Sequence, residues 1–149
     1  MEIKKELEKA IRFQQKGNLD EAKNIYQNIL EKDSNIAEIH HNLGVLLKAQ
    51  NKLEEAEASI AKAILLKPNF VLSHYHMGNT KYKLRKYDES EISYKKAINL
   101  KSDFIEAYIN LSRAQKELGK LGDAEESARI ALKINPNFPD SNMQLSSIL

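Results

Sequence analysis

Apolar residues recur along this chain at helical spacing, in paired runs separated by short polar breaks. Leu53, Ala56, Ile60, Ala63 and Ile64 share one face of a helix, and Leu43, Leu46 and Leu47 share a face just upstream. The alternation of run and break continues from end to end. It predicts an all-α chain with helices over 2–15, 20–31, 36–49, 54–66, 70–83, 88–99, 104–117, 122–133 and 139–148.

The runs repeat with a period of 34 residues. Small residues stand at Ala10, Gly44, Gly78, Ser112 and Ser146, and again at Ala22, Ala56, Ser90 and Ala124. A third column reads Ile29, Ala63, Ala97 and Ala131, and a fourth Leu19, Leu53, Tyr87 and Leu121. Short side chains let two antiparallel helices approach, so Gly44 and Ala56 mark an expected crossing. Gly17, Asn51, Arg85 and Gly119 fall between the helices of a pair, where a left-handed residue closes the first helix. Arg85 is the departure, and its turn must cost more or take another shape. Asp20, Glu54 and Asp88 follow, placing negative charge at helix starts. Asn35, Asp103 and Asn137, each with an acid three residues on, are expected to form capping boxes.

This set of columns resembles the tetratricopeptide repeat (TPR) family, most plainly in "NLGVLLKAQNKLEEAEASIAKAILLKP" at 42–68. The units are 3–36, 37–70, 71–104 and 105–138, with 139–149 starting a fifth repeat or forming a capping helix. The whole of 1–149 reads as a single TPR domain. Repeat 3 matches least, with Lys81, Arg85 and Ser90 at places usually apolar or small. The resemblance implies a right-handed α-solenoid of four helix-turn-helix repeats plus a C-terminal helix, whose first helices line a concave groove. Neighbour contacts stabilise such arrays.

Composition narrows the function. With 149 residues, 30% charged and 42% hydrophobic, the chain can bury a core. A formal net charge of +2 gives no general grip on nucleic acid. No apolar stretch is long enough to span a membrane, and the charged start "MEIKKELEKAIRF" is no signal peptide. The absence of cysteine excludes disulfides and thiolate chemistry and accords with a cytoplasmic location. No phosphate loop, His-Glu-x-x-His or nucleophile elbow occurs, so no enzyme and no cofactor are expected. Acid pairs such as Glu54-Glu55 and Glu125-Glu126 read as solvated helix starts. The basic cluster Lys81, Lys83, Arg85 and Lys86 reads as a solvated turn.

The segments "HHNLG" at 40–44 and "HYHMG" at 74–78 hold all four histidines. His40 and His74 occupy the fourth place of their repeats, a packing place in the family. His41 and His76 fall at the fifth and sixth, which the resemblance turns toward the groove. No third ligand recurs beside them, so no metal site is expected.

One column is polar without a packing reason: Asn42, His76, Asn110 and Gln144, with Glu8 in the first repeat. An amide offers donor and acceptor together and can bond a peptide backbone without reading its sequence. The row is similar to the asparagine ladder in the TPR arm of O-linked N-acetylglucosamine transferases, with His76 and Gln144 replacing asparagine. The other reading is that these groups merely hydrate the groove or cap local packing. The candidate peptide-binding set is Asn42, His76, Asn110, His41, Tyr75, Asn79, Tyr82, Lys83 and Arg113. The Lys, Asn and Arg set by which TPR co-chaperones hold heat-shock protein tails is absent. Its places hold Leu7, Ile11, Leu72 and His76 in one register, and His41, Val45, His76, Glu106 and Asn110 in the next.

The expected function is a non-catalytic module that binds a protein or extended peptide segment, with neither nucleic acid nor membrane as partner. Met143, Leu145, Ile148 and Leu149 are expected as an apolar stripe packing on the fourth unit. That ending suggests an N-terminal arm of a larger protein. It also motivates the alternative of self-assembly, a homo-oligomer formed through the C-terminal helix.

Overall fold

The computed structural model of the chain describes residues 2–149, and every regular element among them is an α-helix. In order these are α1 (Glu2–Gln15), α2 (Leu19–Lys32), α3 (Ala37–Ala49), α4 (Leu53–Leu66), α5 (Val71–Lys83), α6 (Tyr87–Leu100), α7 (Ile105–Glu117), α8 (Leu121–Ile134) and α9 (Pro139–Ile148). Each end lies within a residue of its predicted place, because the apolar spacing that marks a helix also marks the face that packs.

The turns inside the helix pairs share one conformation. Gly17, Asn51, Arg85 and Gly119 have φ of 82°, 61°, 61° and 75°. Arg85 therefore keeps the shape of its glycine counterparts and carries the steric cost of a left-handed Cβ, about 1 kcal/mol. The capping boxes expected from Asn35, Asp103 and Asn137 do not form: α3, α7 and α9 have Ile36, Phe104 and Phe138 at the N-cap, with no side-chain bond. Instead the Asn35 and Asn137 backbone N–H groups donate to Asp33 Oδ1 and Asn135 Oδ1, each at 3.0 Å. These side chains close a turn ahead of the helix, leaving the N-cap to an apolar residue. Phe104 is buried there.

The chain divides into two compact units, one ending at Ser73 and the other running His74–Leu149. In the first, α1 packs on α2 and α3 on α4. Its core joins Ala10, Tyr26, Ile29, Ile39, Leu43, Leu46, Leu47 and Ala56. Gly44 sits where a Cβ would strike Ile60 and come within 3.2 Å of the Ala56 carbonyl, which is why this crossing needs a bare backbone.

In the second unit α6, α7, α8 and α9 pack in sequence, and α9 also touches α7. A Cβ on Gly78 would lie 2.5 Å from the Tyr94 ring. The small-residue places filled by serine are bonded across the crossing: Ser90 Oγ donates to the Gly78 carbonyl at 2.8 Å, and Ser112 Oγ to the Ala124 carbonyl at 2.7 Å. A buried carboxylate ties three helices together. Glu91 accepts from Gln115 Nε2 at 3.1 Å and from Lys120 Nζ at 2.7 Å, and pairs with Lys95 at 3.3 Å. Ser127 Oγ in turn donates to Gln115 Oε1 at 2.7 Å. Burial pushes the Glu91 carboxyl up, but these donors outweigh it and hold it below the ordinary carboxylate value.

The stripe expected on α9 is corrected. Ser141 and Gln144 are buried and Leu145 and Ile148 half-buried, whereas Met143 and Leu149 are 65% and 78% exposed. Positions 141, 144, 145 and 148 follow one helical face, and Met143 lies off it.

Candidate functional site

On α5, Tyr75, Asn79 and Tyr82 recur at i, i+4 and i+7, so helical geometry aligns them on one face. Asn110 and Arg113 do the same on α7 at i and i+3. The second unit brings these side chains together. Asn110 Nδ2 donates to the Tyr75 hydroxyl and to Asn79 Oδ1, both at 3.0 Å. Arg113 Nη1 donates to Asn110 Oδ1 at 2.9 Å. From α6 the Tyr94 hydroxyl donates to the same Asn79 Oδ1 at 2.6 Å. Both Asn110 amide hydrogens are thus engaged within the protein. Asn79 accepts twice through its oxygen, and its Nδ2 hydrogens keep no partner among the described residues.

The Tyr75 ring packs 4.8 Å from Phe104 and meets His76 edge-on at 5.3 Å. His76 is half-buried, and its carbonyl accepts from Thr80 Oγ1 at 2.8 Å. Tyr82 stands edge-on to Tyr87 at 5.2 Å, and its hydroxyl is 3.4 Å from Glu117 Oε1. Burial, and then the Glu117 charge, raise the Tyr82 phenol above its usual value. Lys83 is exposed at the last residue of α5.

Asn42 and His41 belong to the first unit. Asn42 hydrogen-bonds Tyr26, whose hydroxyl also donates to Gln14 Oε1 at 2.7 Å. Burial pushes that phenol up to about 12, with the Asn42 bond opposing. His41 departs from its expected open position: it is buried, its ring stacks 4.7 Å from Phe70, and Nδ1 lies 2.9 Å from Ser73 Oγ. Burial first, then the Lys48 charge, depress its pKa to about 4, so the ring is neutral at pH 7. Of the two packing histidines, His74 is buried, while His40 is half-buried and donates from Nε2 to the Ser34 carbonyl at 2.8 Å. No group of three or more histidines and carboxylates converges among the described residues.

Tyr26 and Tyr94 were not singled out in the sequence, yet they run in step with the amide column. Tyr26 and Tyr94 occupy one repeat place, 68 residues apart, and Asn42 and Asn110 follow each by 16. The other repeats hold Ile60 and Ala128 at the tyrosine place, and His76 and Gln144 at the amide place. Asn42 bonds the Tyr26 hydroxyl directly, whereas Asn110 reaches the Tyr94 hydroxyl through Asn79. Gln144 is itself buried, its Nε2 3.4 Å from Ser112 Oγ.

Profiles described as tetratricopeptide repeat match residues 13–78, 72–104 and 105–138. A comparison with curated protein sequences gives no match. Among solved structures, MamA (41-end) from Desulfovibrio magneticus RS-1 superposes with a TM-score of 0.91 at 18% identity, over 98% of this chain and 82% of that one. YrrB, described as a TPR protein with an unusual peptide-binding site, gives 0.85 at 19% identity, over 96% of this chain and 74% of that one. The first TPR of Spaghetti (RPAP3), solved bound to an HSP90 peptide, gives 0.74 at 23% identity, over 78% and 92%. No helix among the described residues is long and apolar enough to cross a membrane.

Proposed function

The chain belongs to the tetratricopeptide repeat family, and from that premise we propose that it is a non-catalytic interaction module whose second unit binds an extended protein segment through Tyr75, Asn79 and Arg113. The observation that carries this reading is the bonded set Tyr75–Asn79–Asn110–Arg113. Asn110 acts here as a brace more than as a rung. It fixes the phenol, the second amide and the guanidinium in advance, so a ligand need not order them. The Nδ2 hydrogens of Asn79 and the remaining N–H groups of Arg113 then serve backbone carbonyls of the segment. The Tyr75 and Tyr82 rings take its side chains, and Lys83 and Arg113 favour a segment carrying some acidic residues. Asn42 and His41 shape the first unit from within. That YrrB has a peptide-binding site and the RPAP3 domain holds an HSP90 peptide supports the choice of ligand class. The residues that grip heat-shock tails are not carried over to this chain.

A peptide-array screen followed by calorimetry tests the reading. Asn79→Ala should weaken any ligand found by about 0.5–1.5 kcal/mol, roughly two- to tenfold. Asn110→Ala should weaken it comparably, although its hydrogens touch no ligand, because Arg113 loses its tether. Tyr75→Ala should reorder ligand preference. Full affinity in an Asn79→Ala/Arg113→Ala double variant with an intact melt would sink the proposal. A second reading, self-assembly through α9, is favoured by the exposure of Met143 and Leu149. It requires an oligomer in sedimentation that disappears in Met143→Ser/Leu149→Ser.

A further inference from the structure

Away from that network, a cleft of ≈ 840 Å³ opens between α6 and α8, with α7 as its floor. Three helical stripes build it. On α6, Ile92, Lys95 and Lys96 stand at i, i+3 and i+4; on α8, Asp123, Glu126 and Ile130 stand at i, i+3 and i+7. Tyr108, Leu111 and Gln115 line the floor, where Tyr108 is half-buried and the other two are buried. One wall is therefore basic and the other acidic, and Ile92, Tyr108 and Ile130 supply the accessible apolar surface. Lys96 and Glu126 make no ion pair among the described residues, and Ile92 is 56% exposed. The seven residue steps from Asp123 to Ile130 give the trough a length of about 10 Å, two turns of helix, and an α-helix is itself about 10–12 Å across.

The first unit supplies an internal control. Counting back 68 residues, the α6 wall becomes Asn24, Gln27 and Asn28, and the α8 wall becomes Glu55, Ala58 and Lys62. The opposed charges and the exposed isoleucine belong to the second unit alone, so they are not demanded by the repeat.

We infer that this cleft docks an amphipathic helix of a partner protein, with an apolar stripe on Ile92, Tyr108 and Ile130, acidic residues along the α6 flank and basic residues along the α8 flank. Charge complementarity selects the occupant: a helix with one sign of charge on both flanks meets a like-charged wall whichever way it lies.

The test uses three labelled synthetic helices of about four turns with the same leucine stripe. One carries Glu on one flank and Lys on the other, one carries Lys on both, and one Glu on both. In fluorescence anisotropy against the full chain, the mixed helix should bind about tenfold tighter than either uniform one. Lys96→Glu offsets the charge of Lys95 while the α8 wall stays acidic, and should shift preference toward the Lys-flanked helix. Lys96→Glu with Glu126→Lys leaves one charge of each sign on each wall and should remove the preference among the three helices. Ile92→Ser should weaken all three, and Asn79→Ala none. No preference for the mixed helix, or an unchanged ranking in Lys96→Glu, overturns the inference. A dimer in sedimentation that Ile92→Ser dissolves would give the cleft to a second copy and overturn it equally.

Discussion

The two units solve the same packing problem with different materials. Among the described residues, the first unit buries two polar side chains, His41 and Ser73, beneath an aliphatic core. The second buries ten, from His74 to Gln144, with Glu91, Gln115, Ser90 and Ser112 at its helix crossings. Both place a tyrosine under an amide. In the first, Tyr26 is satisfied by Gln14 and Asn42; in the second, Tyr94 leads through Asn79 and Asn110 to a charged guanidinium. Burial by aliphatic contact is tolerant of small shifts, whereas a bonded core fixes positions and is costly to leave half-satisfied. The unit with the bonded core is also the one in which we propose the peptide site.

The largest effect expected from this contrast is at the glycine crossings. Gly78→Leu should cost about 3 kcal/mol, because the Tyr94 ring is tethered at its hydroxyl and cannot swing aside. Gly44→Leu should cost less, because Ile60 has no such tether and only the Ala56 carbonyl at 3.2 Å stays fixed. Equal losses in thermal melts would break the distinction between a tethered and a mobile neighbour. Next comes Glu91→Ala, which strands the Gln115 amide inside the second unit. About 2 kcal/mol is expected, discounted because Lys95 and Lys120 are 58% and 44% exposed.

Acid should separate the units. His41 has a folded pKa below its unfolded value, so the unfolded chain binds the extra proton first. Stability is then lost as pH falls from about 6.5 toward 4, by about 1–2 kcal/mol. His41→Gln should flatten melts across that window. Glu91, whose folded pKa is depressed, contributes above its unfolded value and is lost only as pH falls through the lower folded one. Hydrogen exchange should therefore show the first unit loosening before the second, and the reverse order would contradict the account. Smallest is the turn at Arg85: Arg85→Gly should stabilise by about 0.5–1 kcal/mol, read as a rise in melting temperature.

The helices were legible because the apolar period and the buried face are one property. The turn at Arg85 was legible as a place but not as a shape, since a sequence does not say whether a poor residue distorts its turn or endures it. The amide column was visible too, while its atoms were not. Spacing puts Asn42 and Asn110 on a face, but only their partners on other helices, Tyr26 for the one and Tyr75 with Asn79 for the other, settle which groups are engaged. His41 misled because the family pattern turns its place outward. Phe70 and Ser73, some thirty residues on, supply the ring and hydroxyl that enclose it. Asn35 and Glu38 satisfy a capping box on paper, and an Asx turn drawn by Asp33 uses the same letters.

The buried tyrosines also equip the chain for optical study. It has six tyrosines, four phenylalanines and no tryptophan, so tyrosine dominates its near-ultraviolet spectrum. Tyr26 and Tyr94 are the fully enclosed pair, one in each unit, and burial raises both phenols above their usual value, Tyr26 to about 12. In strongly alkaline solution these two phenols resist ionisation and keep their absorbance until their own unit opens. Replacing one or the other by phenylalanine would assign the late signal to a unit, giving two spectroscopic clocks for one polypeptide.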